Sequence, residues 1–394
     1  MRHATARLID SLVLAAIVLV ALLLLAKSCA GWVGERSSEA VPEPRALADY
    51  IPDDPGVAAH TGGWAELQWN FAGPSGVQAQ RAWDNLIAAG FPGGEGVTVA
   101  VVDTGVAYAD RYPYRRSPDL AEARFVPGYD FVGRDPYPFD LNGHGTHVAS
   151  TIAEETNNAT GLTGLAYGVR IMPVRVLDRS GAGTATTVAR GIRFAAEHGA
   201  DVINLSFSFD WRTGARQIPQ VVQALEYAEQ RGSLVVASAG NSGLALVPYP
   251  ARWRFALAVG ATTEHGCKAS FSNFGPDLDF VAPGGGSDSR LAGDPSCQAG
   301  RRGRPIYQIT LRPRLVASFG IRGLSGTSMA APHVSATAAL VLASGVLGED
   351  RSAARIRERL IQTAGDRGVA GYDTRYGWGL VDAAAATARE LPLR

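Results

Sequence analysis

Short runs of β-branched and small apolar residues recur along the chain with little polar alternation. Val97-Thr98-Val99-Ala100-Val101-Val102 sits between Gly96 and Asp103, and Ile171 to Leu177, Asp201 to Leu205, Leu234 to Ala237 and Phe255 to Gly260 resemble it. Runs of this length read as strands buried on both faces. Between them lie helical stretches, His147 to Glu154, Thr186 to His198 and Ile218 to Arg231. Strands alternating with helices imply a parallel β-sheet with helices on both faces, an α/β fold. The alanine-rich run Met329 to Ser344 adds a buried helix. No internal repeat and no second core is visible, so one domain from 63 to 390 is expected. Residues 31–62, rich in Pro, Gly, Glu and Ala without an apolar period, read as a linker and extended arm, with folded structure beginning near Trp64.

The N-terminus differs in kind. Arg2, His3 and Arg7 precede an uncharged apolar run of 16 residues, Ser11 to Ala26, the pattern of an export element. The run is long for a signal peptide and short against the ~20 residues of a membrane span. Two outcomes stay open for residues 1–30: cleavage after Ala30, beside the small residues Ser28 and Cys29, or an uncleaved anchor through residues 11–26. An acylated Cys29 is disfavoured by Lys27. The expected location is secreted or periplasmic, with the membrane met only through this segment.

Composition changes little else. The 394 residues are 46% hydrophobic, enough for a large core, and 37 Lys plus Arg balance 37 Asp plus Glu. No charge excess points to nucleic acid or an anionic surface as partner. Three cysteines are present. With Cys29 in the export segment, Cys267 and Cys297 remain as a disulfide pair, the alternatives being two buried thiols or, less compatible with the spacing, a zinc site with His265.

Ligands of open α/β sheets gather at the carboxyl ends of strands, so polar residues just beyond the apolar runs carry the candidate chemistry. Asp103 ends the first strand, and alone it reads equally as a turn aspartate. His144 lies between Gly143 and Gly145 at the start of a helix. His147, three residues on, raises a two-histidine metal site, but the better-known zinc spacing is four with an intervening glutamate, which favours a structural histidine. Ser328 precedes the alanine-rich helix, with Pro332 expected in its first turn, where a missing N–H costs nothing. Alone, Ser328 reads as an N-cap. Together the order Asp103, His144, Ser328, at separations of 41 and 184 residues, is one of the known chain orders of a catalytic triad.

Asp103-Thr104-Gly105, Gly143-His144-Gly145-Thr146-His147 and Gly326-Thr327-Ser328-Met329-Ala330-Ala331-Pro332-His333 resemble the triad motifs of the subtilisin-like serine protease family, whose fold is a three-layer α/β sandwich. Similarity runs from Gln68-Trp69 through Ala82-Trp83-Asp84 and Ala282-Pro283-Gly284-Gly285 to Tyr376-Gly377-Trp378-Gly379-Leu380-Val381-Asp382, and is strongest to the bacterial extracellular branch. The cysteines flanking Ser270-Phe271-Ser272-Asn273-Phe274-Gly275 are similar to that branch as well, which supports a Cys267–Cys297 bridge.

The resemblance implies a serine endopeptidase acting through an acyl-enzyme: Ser328 as nucleophile, His144 as base and acid, Asp103 orienting His144, and Asn241, in Ser238-Ala239-Gly240-Asn241-Ser242-Gly243, as oxyanion donor. It also implies that peptide or protein substrates bind as an added strand along Ser180 to Gly183, including Gly181 and Gly183, and along Ser206, Phe207 and Ser208. Phe207, Ser238 and Ala251 would shape an uncharged pocket for a large apolar residue before the cut, and Ser208 replaces the usual glycine. A structural calcium ion is implied at Asn157-Asn158-Ala159-Thr160-Gly161-Leu162, with Asp119, Asn158, Thr160, Leu162 and Gln68 as ligands, against a plain Asn-rich turn. No cofactor is expected for catalysis, and a monomer is expected.

One departure is the short stretch between the export element and the folded domain. A family pro-domain does not fit in 31–62, so either folding needs no such helper or a separate inhibitor or chaperone chain supplies it. Arg301 to Arg314, with five arginines and two prolines, reads as a surface loop, an autolysis site or a contact for acidic partners. Residues 326–330 lack the GxSxG elbow of an α/β-hydrolase lipase. A peptide ligase or macrocyclase on the same fold shares every catalytic residue, and an inactive peptide-binding relative is opposed by the intact triad with Asn241.

Overall fold

The computed structural model describes residues 50–57, 62–120, 124–290 and 297–391. The expectations for residues 1–30 and for most of the linker lie outside these. Among the described residues no helix is long and apolar enough to cross a membrane.

Eight strands form one sheet: β1 (Thr98–Asp103), β2 (Arg124–Phe125), β3 (Tyr129–Asp130), β4 (Arg170–Arg175), β5 (Val202–Leu205), β6 (Leu234–Ser238), β7 (Ala256–Thr262) and β8 (Phe280–Pro283). Their order is β2-β4-β1-β5-β6-β7-β8, with β3 beside β2 along the same edge of β4. Every pairing is parallel. All five strands expected from the apolar runs are present, their ends moved by at most two residues.

Side chains alternate across a strand, and here both faces are covered. Val99 and Val101 of β1, Val236 of β6 and Leu257 and Val259 of β7 face a core shared with the helices His144–Ala153 and Thr327–Ser344. Ala100 and Val102, Val235 and Ala237, and Ala256 and Ala258 face the opposite core, under the helices Ala185–Glu197 and Pro219–Gln230. The result is the three-layer α/β arrangement. Burial on both sides explains why the strands read as continuous apolar runs.

Connections out of β1 and β5 run in opposite directions. The chain leaves β1 through the helix His144–Ala153 to β4 on one side, and leaves β5 through Pro219–Gln230 to β6 on the other. A crevice at the carboxyl ends of β1 and β5 is therefore the topological switch point, where open α/β sheets bind ligands.

Two expectations are corrected. Residues 50–57 belong to the folded body: Tyr50 N–H donates to Asp84 Oδ1 at 2.9 Å, Gly56 N–H to Gly161 O at 2.8 Å, and Trp64 Nε1–H to Pro52 O at 3.2 Å. Their low apolar content hid this, because polar capping contacts hold them. Arg301–Arg314 is not simply a surface loop. Its second half contains β9 (Ile306–Leu311), which pairs antiparallel with β10 (Phe319–Leu324) and buries Ile306, Ile309 and Leu311. The flanking arginines and prolines masked that alternation.

Candidate active site

Three adjacent strand ends build the site. Asp103 is the last residue of β1, and its parallel register with β5 pairs Val101 with Asn204. Ser206 follows β5 directly, so Asp103 and Ser206 both stand at the carboxyl ends of neighbouring parallel strands. Asn241 follows β6, the next strand over.

Asp103 is fully buried, and its Oδ1 lies 2.7 Å from His144 Nδ1 while also accepting Thr104 N–H at 2.7 Å. A carboxylate can only accept, so Nδ1 carries the proton, and in the neutral ring Nε2 keeps its lone pair. The close approach depends on glycine. A Cβ at Gly145 would stand 2.1 Å from Gly105 O and 3.2 Å from Asp103 Cβ. Burial works to lower the His144 pKa, but the charge and hydrogen bond of Asp103, aided by the charge of Asp140, outweigh it and the net shift is upward.

Asp140 is a residue the sequence reading missed. Fully buried, it accepts from Asn142 N (2.8 Å), Gly143 N (2.9 Å) and Thr104 Oγ1 (2.9 Å) with one oxygen, and from Thr146 N (2.9 Å) and Thr146 Oγ1 (2.6 Å) with the other. It closes the N-terminal donors of the His144 helix and ties that helix, through Thr104, to the end of β1. Only its position four residues ahead of His144 could have signalled this.

Ser328 is the second residue of the helix Thr327–Ser344. Pro332 is not in the first turn, as expected above, but inside the helix at its sixth position. Its missing N–H leaves the Ser328 carbonyl without its helical donor. Ser206 Oγ supplies the bond instead, at 2.8 Å, and is itself oriented by Asn204 Nδ2 at 2.8 Å, whose Oδ1 accepts from Ser335 Oγ at 2.8 Å. Asn204, the lone polar residue in the buried run Val202–Leu205, was the available signal for this relay. Asn241 Oδ1 accepts from Thr327 N (2.8 Å) and Thr327 Oγ1 (2.9 Å). That fixes the amide with its NH2 group turned away from Thr327, and Gly326 leaves space beside Nδ2.

His147 stands apart from His144 chemically. It is fully buried, and its Nε2 faces two carbonyls of the hairpin, Ile306 O at 3.1 Å and Arg322 O at 3.2 Å, so Nε2 carries a proton. Burial pushes its pKa down to about 3, with the nearby His144 adding to the shift. Among the described residues no group of three or more His, Cys, Asp or Glu is arranged to hold a metal ion.

The expected substrate segments flank the site. Residues 180–183 and 208 are exposed and Phe207 is half-buried, whereas Ser206, Ser238 and Ala251 are buried. Gly181 is required by its φ of +82°; at Gly183 a Cβ would meet Leu177 Cδ2 at 2.6 Å, so that glycine serves inward packing. Behind Asn241, Asn273 Oδ1 accepts Ser242 N–H and Leu244 N–H, both at 3.0 Å. Cys267 and Cys297 are joined, with Cα atoms 5.5 Å apart.

The expected calcium ligands are partly gathered. Asn158 Nδ2 and Leu162 N donate to Asp119 at 3.0 and 2.8 Å, and Thr160 N donates to Asn158 Oδ1 at 2.9 Å. Gln68 stands at the end of this loop, bonded to Thr163 N, Thr163 O and Gln308. Asp54, in the stretch read as linker, accepts from Asn157 N and Asn158 N and is buried beside this loop. Burial first, then the charges of Asp54 and Glu155, push the Asp119 pKa up to about 7 despite its two hydrogen bonds.

Comparisons with known proteins identify the family. The subtilase family model matches residues 94–379, more than half of the chain. The chain is 39% identical to thermitase of Thermoactinomyces vulgaris over 334 residues, 85% of this chain and 98% of that protein. It is 40% identical to a thermophilic serine proteinase of Bacillus sp. strain AK1 over 305 residues, 77% of this chain and 64% of that protein. Subtilisin Savinase of Lederbergia lenta is 38% identical, with 80% and 97% covered. Among solved structures, a protease of Pseudoalteromonas arctica PAMC 21717 superposes with a TM-score of 0.68 at 29% identity over 86% of this chain and 99% of that one. From fold, motif order and extent of similarity together, the chain belongs to the subtilase family of peptidases.

Proposed function

We propose that this subtilisin-like serine endopeptidase cuts peptide bonds through an acyl-enzyme on Ser328. The observation that carries the reading is the 2.7 Å contact between Asp103 Oδ1 and His144 Nδ1, at the strand end next to the one where Ser206 holds the Ser328 backbone. Ser328 Oγ attacks the substrate carbonyl carbon as His144 Nε2 takes its proton. The oxyanion forms against Asn241 Nδ2 and the N–H of Ser328, at the positive end of a long helix. On collapse the C–N bond breaks and His144 returns the proton to the leaving amine. Water then attacks the ester, again giving its proton to His144, and Ser328 leaves reprotonated. Asp103 stabilises the imidazolium in both halves.

Phe207, Ser238 and Ala251 support a preference for a large apolar residue before the cut, since none carries charge. The Cys267–Cys297 bridge supports action outside the cytoplasm. A hard divalent cation suits the oxygen donors of the Asn157–Leu162 loop. Asp119, Asn158 and the carbonyl oxygens of Thr160 and Leu162 would hold it, and buried Asp54 adds negative charge that a cation offsets. Its role there is structural, stiffening the loop after the His144 helix, and no catalytic step involves it.

The test is digestion of a peptide library in the presence of a competing amine, with products read by mass spectrometry. Free-acid products after large apolar residues, lost in Ser328→Ala, are expected. Products joined to the amine in preference to water would assign the acyl-enzyme to peptide ligation instead.

A further inference from the structure

Five arginines lie between 301 and 314, and the catalytic reading gives none of them a role. The structure carries this segment to the active site. Pro313 and Arg314, past the end of β9, and Arg322 of β10 line a cavity of about 380 Å³ together with Asn142, His144 and Arg179. Three guanidinium-bearing residues thus share one cavity with the candidate catalytic histidine.

Among the described residues no Asp or Glu lines this cavity. Among the described residues, Arg179, Arg314 and Arg322 form no ion pair; Arg322 Nη1 donates to Leu311 O at 3.1 Å. The carboxylates nearest along the chain are turned elsewhere: Asp140 to Asn142 N, Gly143 N and Thr146, and Asp178 to Ser180 and Ala182 N–H groups. The chain as a whole is neutral, so the local excess of positive charge is not a sample of a basic surface. Arg314 also holds a left-handed φ of 65°, a conformation that a long side chain seldom adopts.

We propose that this cavity receives an acidic side chain, Asp or Glu, of the substrate at a residue flanking the scissile bond. The proposal rests on the reading of His144 and Ser328 as the catalytic pair. A planar guanidinium meets a carboxylate with two parallel N–H···O bonds, and a cleft lined by one sign of charge concentrates the opposite one. Substrate chosen in this way would pair an apolar residue in the Phe207 pocket with an acidic neighbour across or beside the cut.

The test uses peptides that carry Glu or Gln at each of the two positions on either side of a known cleavage site. Binding is measured by fluorescence anisotropy with the full chain carrying Ser328→Ala, and hydrolysis is measured with the active chain. At low ionic strength Glu is expected to exceed Gln about three- to tenfold in affinity at one of these positions. The ratio should fall toward one in about 0.5 M salt. Arg314→Asn, whose side chain accepts the left-handed backbone, and Arg179→Ala should each shrink the ratio, and Arg314→Asp should turn the preference toward Lys. Equal binding of Glu and Gln peptides at all four positions, or a ratio indifferent to both arginine substitutions, overturns the proposal. Hydrolysis separates it from the reading beneath it: cleavage without a Glu preference sinks the cavity alone, and selective binding without cleavage sinks the catalytic reading while leaving the cavity standing.

Discussion

Ser206 Oγ donates to the Ser328 carbonyl at 2.8 Å, filling the place of the helical N–H that Pro332 lacks. The backbone of the nucleophile is thus held by a side chain from the end of β5 rather than by its own helix. Ser206→Ala should leave a part-buried carbonyl unpaired and cost about 1 kcal/mol of stability, read by thermal unfolding in a Ser328→Ala background that prevents self-digestion. In the active chain, kcat/KM should fall on the order of tenfold, since small displacements of a reacting group are costly. Adding Pro332→Ala restores the missing N–H and should recover much of both losses. A double variant no better than Ser206→Ala alone would show that the bond is incidental.

The upward shift of His144 sets a pH dependence. Burial alone would lower this pKa, and the charge and hydrogen bond of Asp103 reverse it. His144 must be neutral to accept the Ser328 proton, so kcat/KM should rise with pH along an acid limb whose midpoint lies above the ordinary histidine value of about 6.5. The same shift means that protonated His144 contributes stability at low pH, lost as pH rises through the folded-state pKa. Asp103→Asn should move the limb to lower pH and cut kcat by roughly 10⁴. An acid limb unmoved by that substitution would separate Asp103 from the titrating group.

Asn241 joins two jobs in one amide. Its Oδ1 accepts from Thr327 N and Oγ1, and its Nδ2 is the proposed oxyanion donor. Asn241→Ala should lower kcat by 10²–10³ with little change in KM, the magnitude known for removing such a donor in subtilisin. Asn241→Asp keeps an acceptor for Thr327 but replaces the donor with charge, and should be at least as inactive while unfolding near the parent temperature. A fall in KM-dependent binding with kcat intact would place Asn241 in substrate binding instead.

The acidic loop makes a prediction about cations. Asp54, Asp119 and Glu154 are buried, and among the described residues no ion pair compensates them. A chelator should lower the unfolding temperature of the Ser328→Ala chain, with calcium restoring it more fully than magnesium. Asp119→Asn should remove most of that difference. Equal unfolding temperatures with chelator and with millimolar calcium would return the loop to a plain hydrogen-bonded turn.

Much of the fold was legible because its central strands are buried on both faces and read as unbroken apolar runs: Val97–Val102 became β1 and Leu234–Ala237 became β6. The elements that were missed owe their stability to polar capping or to pairing across long sequence gaps. Residues 50–57 are held by Asp84, Gly161 and Trp64, and β9 is held by β10 and by His147. The candidate site shows the same division. Asp103, His144 and Ser328 stand in glycine-flanked motifs that a sequence displays. Asp140, Asn204 and Ser206 act by holding other residues, and their roles exist only once β1, β5 and two helix N-termini meet. Pro332 was misplaced because the helix was taken to begin at Met329, two residues late.

Every catalytic step proposed for this chain depends on Ser328 being a nucleophile activated by His144. The most direct measurement is incubation of the folded chain with a fluorophosphonate, followed by peptide mass spectrometry. A single stoichiometric adduct on Ser328 is expected, absent in Ser328→Ala and slowed at least 10³-fold in His144→Ala. A folded protein that stays unlabelled, or that carries the label on another serine, would contradict it.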